Sequence, residues 1–144
     1  MKGVTSYDLK QINVLKGGVW HALKATDEGY VGFGEAYFSQ IQSGAVKGWK
    51  RHNRFVLNII VPVGKIKFVI FDDRAGSATH GKFEEHVLSP DGNYKRLTIA
   101  AGLWVAFQGL DNNTSILLDI IPEVHVPNEA DSLSLEAINY KFHL

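Results

Sequence analysis

Two strongly apolar segments, separated by a single glycine, constrain the fold of this chain more than any other feature. The first is FVLNIIVPV and the second is KIKFVIFDD. In an extended conformation the odd-numbered residues from Phe55 to Val63 share one face, because side chains alternate across a strand. Neither segment shows the period of an amphipathic helix. The pair therefore predicts two β-strands, with Pro62 near a strand end or at a sheet edge.

The rest of the chain continues this β pattern. KRLTIAAG is a shorter predicted strand, and NNTSILLDIIP is a nearly continuous apolar strand that contains Asp119. SPDGN is a predicted turn between strands, since Asp91 and Gly92 tolerate the positive φ of tight hairpins. Only EADSLSLEAINYKF suits a helical turn, with an N-cap near Asp131 or Ser132. The sequence therefore predicts an all-β sandwich or barrel, foremost a small jelly roll, in one domain over residues 1–144.

Balanced charge and the lack of cysteine exclude several classes of function. The chain has 15 basic and 15 acidic residues, so no overall field would draw it to nucleic acid or to an anionic membrane. It contains no cysteine, which removes disulfides, thiolate zinc sites and cysteine nucleophiles. No segment has the continuous apolar run of a secretory signal or a membrane span. We therefore expect a cytoplasmic protein with neither nucleic-acid nor membrane partners.

Positive charge is instead concentrated in the segment SGAVKGWKRHNRF. Its basic residues, from Lys47 to Arg54, surround Trp49. Arginine and lysine side chains bind phosphate groups, and a tryptophan can pack on a sugar or a base. The same cluster also fits the solvated beginning of an ordinary strand, so charge alone leaves both interpretations open.

Three blocks of sequence carry a more specific signal. GAVKGWKRH, VPVGKIKFVIFDDRAGSATHGKF and LSPDGNYKRLTIAAGLWVAFQGL occur in this order. They resemble the cupin family of deoxythymidine-diphosphate (dTDP) 4-dehydrorhamnose 3,5-epimerases, and especially its short, divergent members. The matching residues are Gly64, Asp72, Arg74, Ser77, Thr79, Gly81, Gly102 and Phe107. The resemblance implies a cupin-type jelly roll, a double-stranded β-helix barrel. It also implies an isomerase that needs no cofactor and acts on a nucleoside-diphosphate 4-keto-6-deoxy sugar in surface-polysaccharide synthesis.

The family's chemistry removes a proton next to the keto group and stabilises the resulting enolate. On this resemblance Lys50 aligns with the catalytic histidine of the family, and His52 follows two residues later. His52 is the predicted base, because an imidazole titrates nearer neutrality than an ammonium group. Lys50 is then the predicted electrostatic partner of the enolate. Asp119 is predicted to face the cavity or to orient His52, because a carboxylate is costly to bury unpaired.

The resemblance also implies residues that contact the substrate. Lys47 aligns with the family's substrate-binding arginine, and it shares a face with Lys50 only if Gly48 permits a bulge. The N-terminal segment KGGVWHAL resembles the arm that crosses to the partner subunit in the family, which predicts a homodimer. The predicted substrate-binding set is Lys16, His21, Lys47, Trp49, Arg51, Arg74, Trp104 and Tyr140. In this set Arg74 also fits a structural ion pair with Asp72, and Tyr140 could replace a missing acid.

Several positions depart from the family pattern. Leu118 aligns with the catalytic tyrosine, Leu57 aligns with a second active-site lysine, and no counterpart of the C-terminal aspartate partner is identified. A catalytically silent cupin that binds a sugar nucleotide therefore remains an alternative. A 3,4-ketoisomerase is a further one, although its relatives carry His-x-His where this chain has Lys50 and His52. No metal site is predicted, because His52 is the only residue in the pattern that could serve as a ligand.

Overall fold

The computed structural model describes residues 1–143, and nearly all of its regular secondary structure is β-strand. The strands are β1 (Val4–Asp8), β2 (Gln11–Ile12), β3 (Val19–Trp20), β4 (Glu35–Ile41), β5 (Val46–His52), β6 (Leu57–Val63), β7 (Ile66–Asp72), β8 (Lys82–Leu88), β9 (Lys95–Ile99), β10 (Trp104–Gly109), β11 (Ser115–Ile121) and β12 (Ala130–Ser132). One 3₁₀ helix, Leu135–Ala137, has Ser134 as its N-cap. The predicted helical turn therefore begins later than expected, because Asp131 and Ser132 pair with β5 instead.

Ten strands form two five-stranded sheets. The first sheet has the order β1-β9-β6-β11-β4, and the second has the order β12-β5-β10-β7-β8. Neighbouring strands are antiparallel throughout both sheets. Strands β2 and β3 form a separate hairpin. This arrangement confirms the predicted all-β class and the cupin-type jelly roll. Over residues 1–143 no helix is long and apolar enough to cross a membrane.

The main core lies between the two sheets, and the alternation of side chains explains why. Leu57, Ile59 and Val61 of β6 contribute to it, as the sequence predicted. Alternate residues of β7 and β10 turn to the other side of the second sheet. There they form a smaller cluster with the C-terminal segment. At the end of β6, Val63 is 47% exposed, so the predicted face is buried except at that end.

A bulge in β5 determines which of its side chains face the core. Lys50 pairs with Val105 of β10, but the next pair, two residues further along β10, joins Phe107 to Lys47. The extra residue on β5 is a bulge, and it brings Lys47 and Lys50 to the same face. This meets the condition predicted from the sequence, namely that the two lysines share a face only if Gly48 permits a bulge. A Cβ atom at Gly48 would lie 2.4 Å from the Cβ of Ala106. Only glycine allows so close an approach of β5 to β10.

A second bulge accounts for the proline in β6. Val63 pairs with Ile116 and Ile60 pairs with Leu118, so β6 has one residue more than β11 over this stretch. Pro62 lies within it, as the penultimate residue of the strand. A proline lacks the N–H that a regular ladder needs, and a bulge removes that requirement. The prediction that Pro62 lies near a strand end is therefore confirmed.

Candidate active site

A cavity of about 160 Å³ lies between the two sheets. Most of its wall is apolar and comes from β6, β7, β10 and β11, with the residues Leu57, Ile59, Phe68, Val105, Phe107 and Leu117. Its polar groups come from both sheets: Tyr37, Ser39 and Asp119 from the first, Lys50 and His52 from the second. A few polar groups in a mostly apolar hollow are typical of a small-molecule site.

Lys50 and His52 reach this cavity because residues two apart on a strand share a face. Lys50 is exposed, whereas the side chain of His52 is only 11% exposed. The imidazole ring of His52 stacks on the ring of Phe55, with 5.9 Å between the ring centres. The structure thus brings together an exposed cation and a largely buried imidazole at one wall.

Glu129 orients the imidazole of His52 through a contact at Nδ1. Its Oε1 atom lies 2.6 Å from Nδ1 of His52, and its Oε2 atom accepts hydrogen bonds from the backbone N–H groups of Arg54 and Phe55. Burial alone would raise the pKa of Glu129, but the hydrogen bonds from His52 and from the backbone outweigh it and hold the pKa below its ordinary value. A carboxylate at Nδ1 makes that nitrogen the donor and leaves Nε2 as the basic nitrogen.

Sequence reasoning did not identify Glu129. It lies 77 residues from His52 along the chain, in a loop with no periodic pattern. Asn128 beside it adopts a φ of 66°, the left-handed region that asparagine tolerates. The turn leads into β12, whose pairing with β5 places Ala130 opposite His52. The local signal is the sequence VPN, residues 126–128, just before Glu129. It indicates a turn, but it does not indicate that Glu129 contacts His52.

Asp119 lies in the other wall of the cavity and is 7% exposed. Its Oδ2 atom accepts a hydrogen bond of 2.9 Å from the hydroxyl of Tyr37, which also lines the cavity. Burial raises the pKa of Asp119 to about 6, although the Tyr37 hydrogen bond and the nearby His52 and Lys50 act in the opposite direction. Burial and the same carboxylate raise the pKa of Tyr37. The structure therefore places Asp119 in the cavity, whereas the carboxylate that orients His52 is Glu129.

Lys47 and Arg51 lie outside the cavity. The ammonium group of Lys47 donates to the backbone carbonyl of Gln40 at 2.9 Å, in a neighbouring groove. Arg51 alternates with Lys50 and His52 and so points to the other side of its sheet. There it forms ion pairs with Asp131 at 2.8 Å and Asp73 at 3.6 Å.

The predicted aromatic platforms are packed on that other side as well. Trp49 is 1% exposed and Trp104 is 4% exposed, both in the smaller hydrophobic cluster. The guanidinium of Arg51 covers Trp104 at 4.5 Å from the ring centre. Tyr140 joins the same cluster, and its hydroxyl hydrogen-bonds Glu85. Trp49 and Trp104 do not line the cavity, because the alternation along β5 and β10 directs them away from it, and Tyr140 packs against them on that other side.

Arg74 forms an ion pair with Asp72 next to the loop that follows β7. Asp72, which is 0% exposed, accepts hydrogen bonds from Arg74 at 2.9 Å, from Ser77 at 2.6 Å and from Thr79 at 2.6 Å. The hydrogen bond from Arg74 is the main reason that the pKa of Asp72 is far below its ordinary value. In the second matching block, Asp72 therefore holds together the loop that contains Arg74, Ser77 and Thr79. The predicted ion pair between Asp72 and Arg74 is present.

Lys16 and His21 belong to the β2–β3 hairpin and its flank, and neither lines the cavity. Lys16 is exposed in the hairpin loop. The backbone carbonyl of His21 accepts a hydrogen bond of 2.7 Å from the hydroxyl of Tyr94. Within one chain neither residue contributes to the cavity that His52 and Asp119 line. Among residues 1–143, no group of three or more His, Asp or Glu side chains is arranged to hold a metal ion.

The fold and this cavity define a cupin with a histidine–carboxylate pair, and comparisons with known proteins agree. A dTDP sugar isomerase from Desulfovibrio desulfuricans superposes with a TM-score of 0.93 at 29% identity, covering 97% of this chain and 90% of that one. A dTDP-4-dehydrorhamnose 3,5-epimerase from Sulfolobus tokodaii gives a TM-score of 0.85 at 23% identity, covering 99% and 83%. At that identity the second match shows the fold alone.

Sequence comparison points the same way over a shorter range. The probable low-salt glycan biosynthesis epimerase Agl13 of Haloferax volcanii is 28% identical over 85 residues, 58% of this chain and 54% of that protein. The match thus spans about half the length of this curated relative. No protein-family model matches the chain. The resemblance of this chain to the dTDP-4-dehydrorhamnose 3,5-epimerases, which the sequence motifs indicated, is confirmed.

Proposed function

We propose that this protein is an epimerase or isomerase of a nucleoside-diphosphate 4-keto-6-deoxy sugar in surface-polysaccharide biosynthesis. One observation carries the proposal. His52, whose Nδ1 lies 2.6 Å from Oε1 of Glu129, lines the same cavity wall as the cation of Lys50. A base beside a positive charge suits proton removal next to a carbonyl, where the negative charge moves to oxygen.

His52 is the base in this proposal. Its Nε2 atom takes the proton from the carbon beside the keto group, while Glu129 holds the hydrogen of Nδ1 and stabilises the imidazolium that forms. The electron pair of the broken C–H bond moves onto the carbonyl oxygen. The ammonium group of Lys50 stabilises that oxyanion, more strongly than in water because the surrounding wall is apolar.

Substrate orientation follows from the distribution of charge. The cavity wall of Leu57, Phe68 and Phe107 suits the deoxygenated end of the sugar. The diphosphate then lies beyond the cavity, on the side where Lys47 extends the same face of β5. We propose that Lys47 contacts it after releasing the carbonyl of Gln40, a bond that a surface lysine exchanges readily.

Deuterium exchange tests this function. The protein is incubated with a dTDP-4-keto-6-deoxyhexose in deuterated water, and the mass of the recovered sugar nucleotide is measured. We expect deuterium beside the keto group, with the rate reduced at least about 100-fold in His52→Ala and Lys50→Ala. His86→Ala is the matched control, since His86 lies outside the cavity and contacts Glu84. Equal exchange in wild type and His52→Ala would refute His52 as the base.

A catalytically silent sugar-nucleotide-binding cupin is the second candidate. Leu57 favours it, because this apolar side chain lines the cavity where the resemblance implies a lysine. The same experiment separates the two. Tight binding of the sugar nucleotide without any exchange in wild type would establish the silent cupin.

We also propose a cytoplasmic homodimer that pairs through the β2–β3 hairpin. Its side chains Val14, Leu15 and Val19 are 64%, 103% and 62% exposed in the single chain. Such apolar exposure is typical of a surface covered by a partner. A second copy would cover it and bring Lys16 and His21 near the partner's cavity. Light scattering should give a dimer for wild type and a monomer for Leu15→Asp. Val124→Asp, at an apolar site outside the hairpin that is 68% exposed, should stay dimeric.

A further inference from the structure

We infer that Asp119 is the second proton-transfer group of this site, and that Tyr37 positions its carboxyl group. Asp119 would deliver a proton to the face of the reacting carbon opposite the face that His52 deprotonates. This inference rests on the proposed function and assigns the acid that inversion at carbon requires.

The geometry of the two sheets supports this assignment. His52 is on β5 of the second sheet, and Asp119 is on β11 of the first. Both line the same cavity between the sheets. A sugar ring held there has one face toward each sheet. A base on one sheet and an acid on the other can therefore act on opposite faces of one carbon.

Strand register holds Tyr37 and Asp119 next to each other. They are register partners on the adjacent antiparallel strands β4 and β11. The hydroxyl of Tyr37 donates to Oδ2 of Asp119 at 2.9 Å. Oδ1 is buried and has no hydrogen-bond partner among residues 1–143. A buried carboxyl oxygen without a partner is destabilising, so this atom is suited to carry a proton or to meet a substrate group.

The neighbouring strands decide which form of Asp119 is present. Lys50 and His52 face it across the cavity and favour the carboxylate, and so does the hydroxyl of Tyr37. On the other side β6 contributes Leu57 and Ile59, which are apolar. Burial outweighs the favourable charges and raises the pKa of Asp119 to about 6.

Two further carboxylates, Glu35 and Glu129, act on Tyr37 and raise its pKa. They keep its hydroxyl protonated, as a donor to Asp119 requires. Tyr37 is thus a hydrogen-bond donor that orients the carboxyl, and Asp119 is the group with a transferable proton.

The sequence change on β11 is consistent with this role. The family resemblance places a tyrosine at Leu118, but Leu118 pairs with Phe38, which is 70% exposed on the outer side of the sheet. The side chains of β11 that line the cavity are Leu117 and Asp119. Of the groups this strand directs inward at the site, Asp119 alone can donate a proton.

The proton balance is complete with these groups. His52 accepts the proton of the C–H bond, and the electron pair of that bond moves toward the carbonyl oxygen. The oxygen becomes the enolate oxyanion, which Lys50 stabilises. The enolate then collapses to the ketone as its carbon takes the carboxyl proton of Asp119 on the other face. His52 afterwards gives its proton to solvent, and the Asp119 carboxylate takes one from solvent.

The test separates proton removal from inversion. Asp119→Asn and Tyr37→Phe are compared with wild type for deuterium exchange and for epimerised product. We expect Asp119→Asn to lower product formation at least about 100-fold while His52-dependent exchange with retention persists. Asp111→Asn and Tyr7→Phe are the matched controls, since neither residue lines the cavity.

The pH profile distinguishes positioning from mere structural support. In wild type, product formation should decline as the pH rises through about 6, where Asp119 loses its proton. Tyr37→Phe removes a hydrogen bond that favours the carboxylate, so the decline should move to higher pH. In Asp119→Asn, the remaining product formation should show no decline near pH 6. If wild type exchanges and epimerises while Asp119→Asn gives the same product per exchange event, the inference is wrong. Wild type without any exchange would instead overturn the proposed function itself.

Discussion

Oε1 of Glu129 lies 2.6 Å from Nδ1 of His52, although 77 residues separate them in the chain. Antiparallel pairing of β12 with β5 brings them together, and two backbone N–H groups hold the other oxygen of Glu129. The carboxylate is therefore fixed before any substrate arrives. A base that is already oriented loses little entropy when it reacts.

Glu129→Gln should abolish the base without disturbing the fold. The amide oxygen can accept the two backbone N–H groups, which leaves the amide N–H₂ facing Nδ1 of His52. Nδ1 then becomes an acceptor and Nε2 carries the hydrogen, so the imidazole cannot take a proton there. We expect the exchange rate to fall at least about 100-fold at an unchanged melting temperature. Glu123→Gln, which removes only the surface pair with Arg54, is the control. Normal exchange in Glu129→Gln would argue against the pair.

Gly48→Ala should destabilise the protein. The new Cβ would lie 2.4 Å from the Cβ of Ala106, far inside contact distance. Either β5 or β10 must move, at a cost of about 2 kcal/mol or more in the free energy of unfolding. Urea denaturation measures the change. Gly81→Ala is the comparison, because Gly81 also has a positive φ but no atom lies within 4 Å of its added Cβ. Similar losses in both variants would mean that backbone conformation, and not the close approach, requires Gly48.

Asp119→Asn should stabilise the protein at alkaline pH. The pKa of Asp119 is about 6 in the folded protein, above its ordinary value, so the folded state binds this proton more tightly than the unfolded chain. The free energy of unfolding of wild type therefore falls as the pH rises between about 4 and 6. Asparagine has no charge to bury, so the free energy of unfolding of the variant does not fall in this pH range. Its side-chain oxygen can still accept the hydrogen bond from the hydroxyl of Tyr37. We expect a gain of about 2–3 kcal/mol at pH 8 and little gain at pH 4, from denaturation at both values. An equal gain at both pH values would contradict the buried charge as its cause.

Asp72→Asn should act on stability alone. The carboxylate holds Arg74, Ser77 and Thr79, and its pKa is lowered, so its contribution is present above about pH 4 and is lost as the pH falls further. We expect a loss of about 2–4 kcal/mol at pH 7 that shrinks in acid, with normal exchange per folded molecule. Asp91→Asn, in a surface turn, is the control. Arg74→Lys with a raised KM would instead place Arg74 in contact with the substrate.

Much of the fold could be predicted from local pattern. The alternation in FVLNIIVPV identified a face that the structure buries in the core except at Val63, because period-two burial is a property of each strand by itself. KIKFVIFDD was predicted as a strand and forms β7. The turn at SPDGN is present too, with Gly92 at a φ of 80°. The neighbouring position of Lys50 and His52 on one face followed from the same alternation.

The remaining site residues depended on pairing between distant strands. Trp49, Arg51 and Trp104 were assigned to the substrate from their chemistry, yet the bulge and the register of β5 and β10 bury or pair them on the other side of the sheet. Lys47 reached the face of Lys50 only through that bulge.

The sequence by itself determined the β architecture, the resemblance to the epimerases and the segment that carries the predicted base. Only the tertiary structure decided that Glu129 holds His52 and that Tyr37 holds Asp119. Both pairs join residues more than 70 positions apart. Their geometry depends on strand order and register, which arise from packing of the whole chain and leave no periodic trace at either residue.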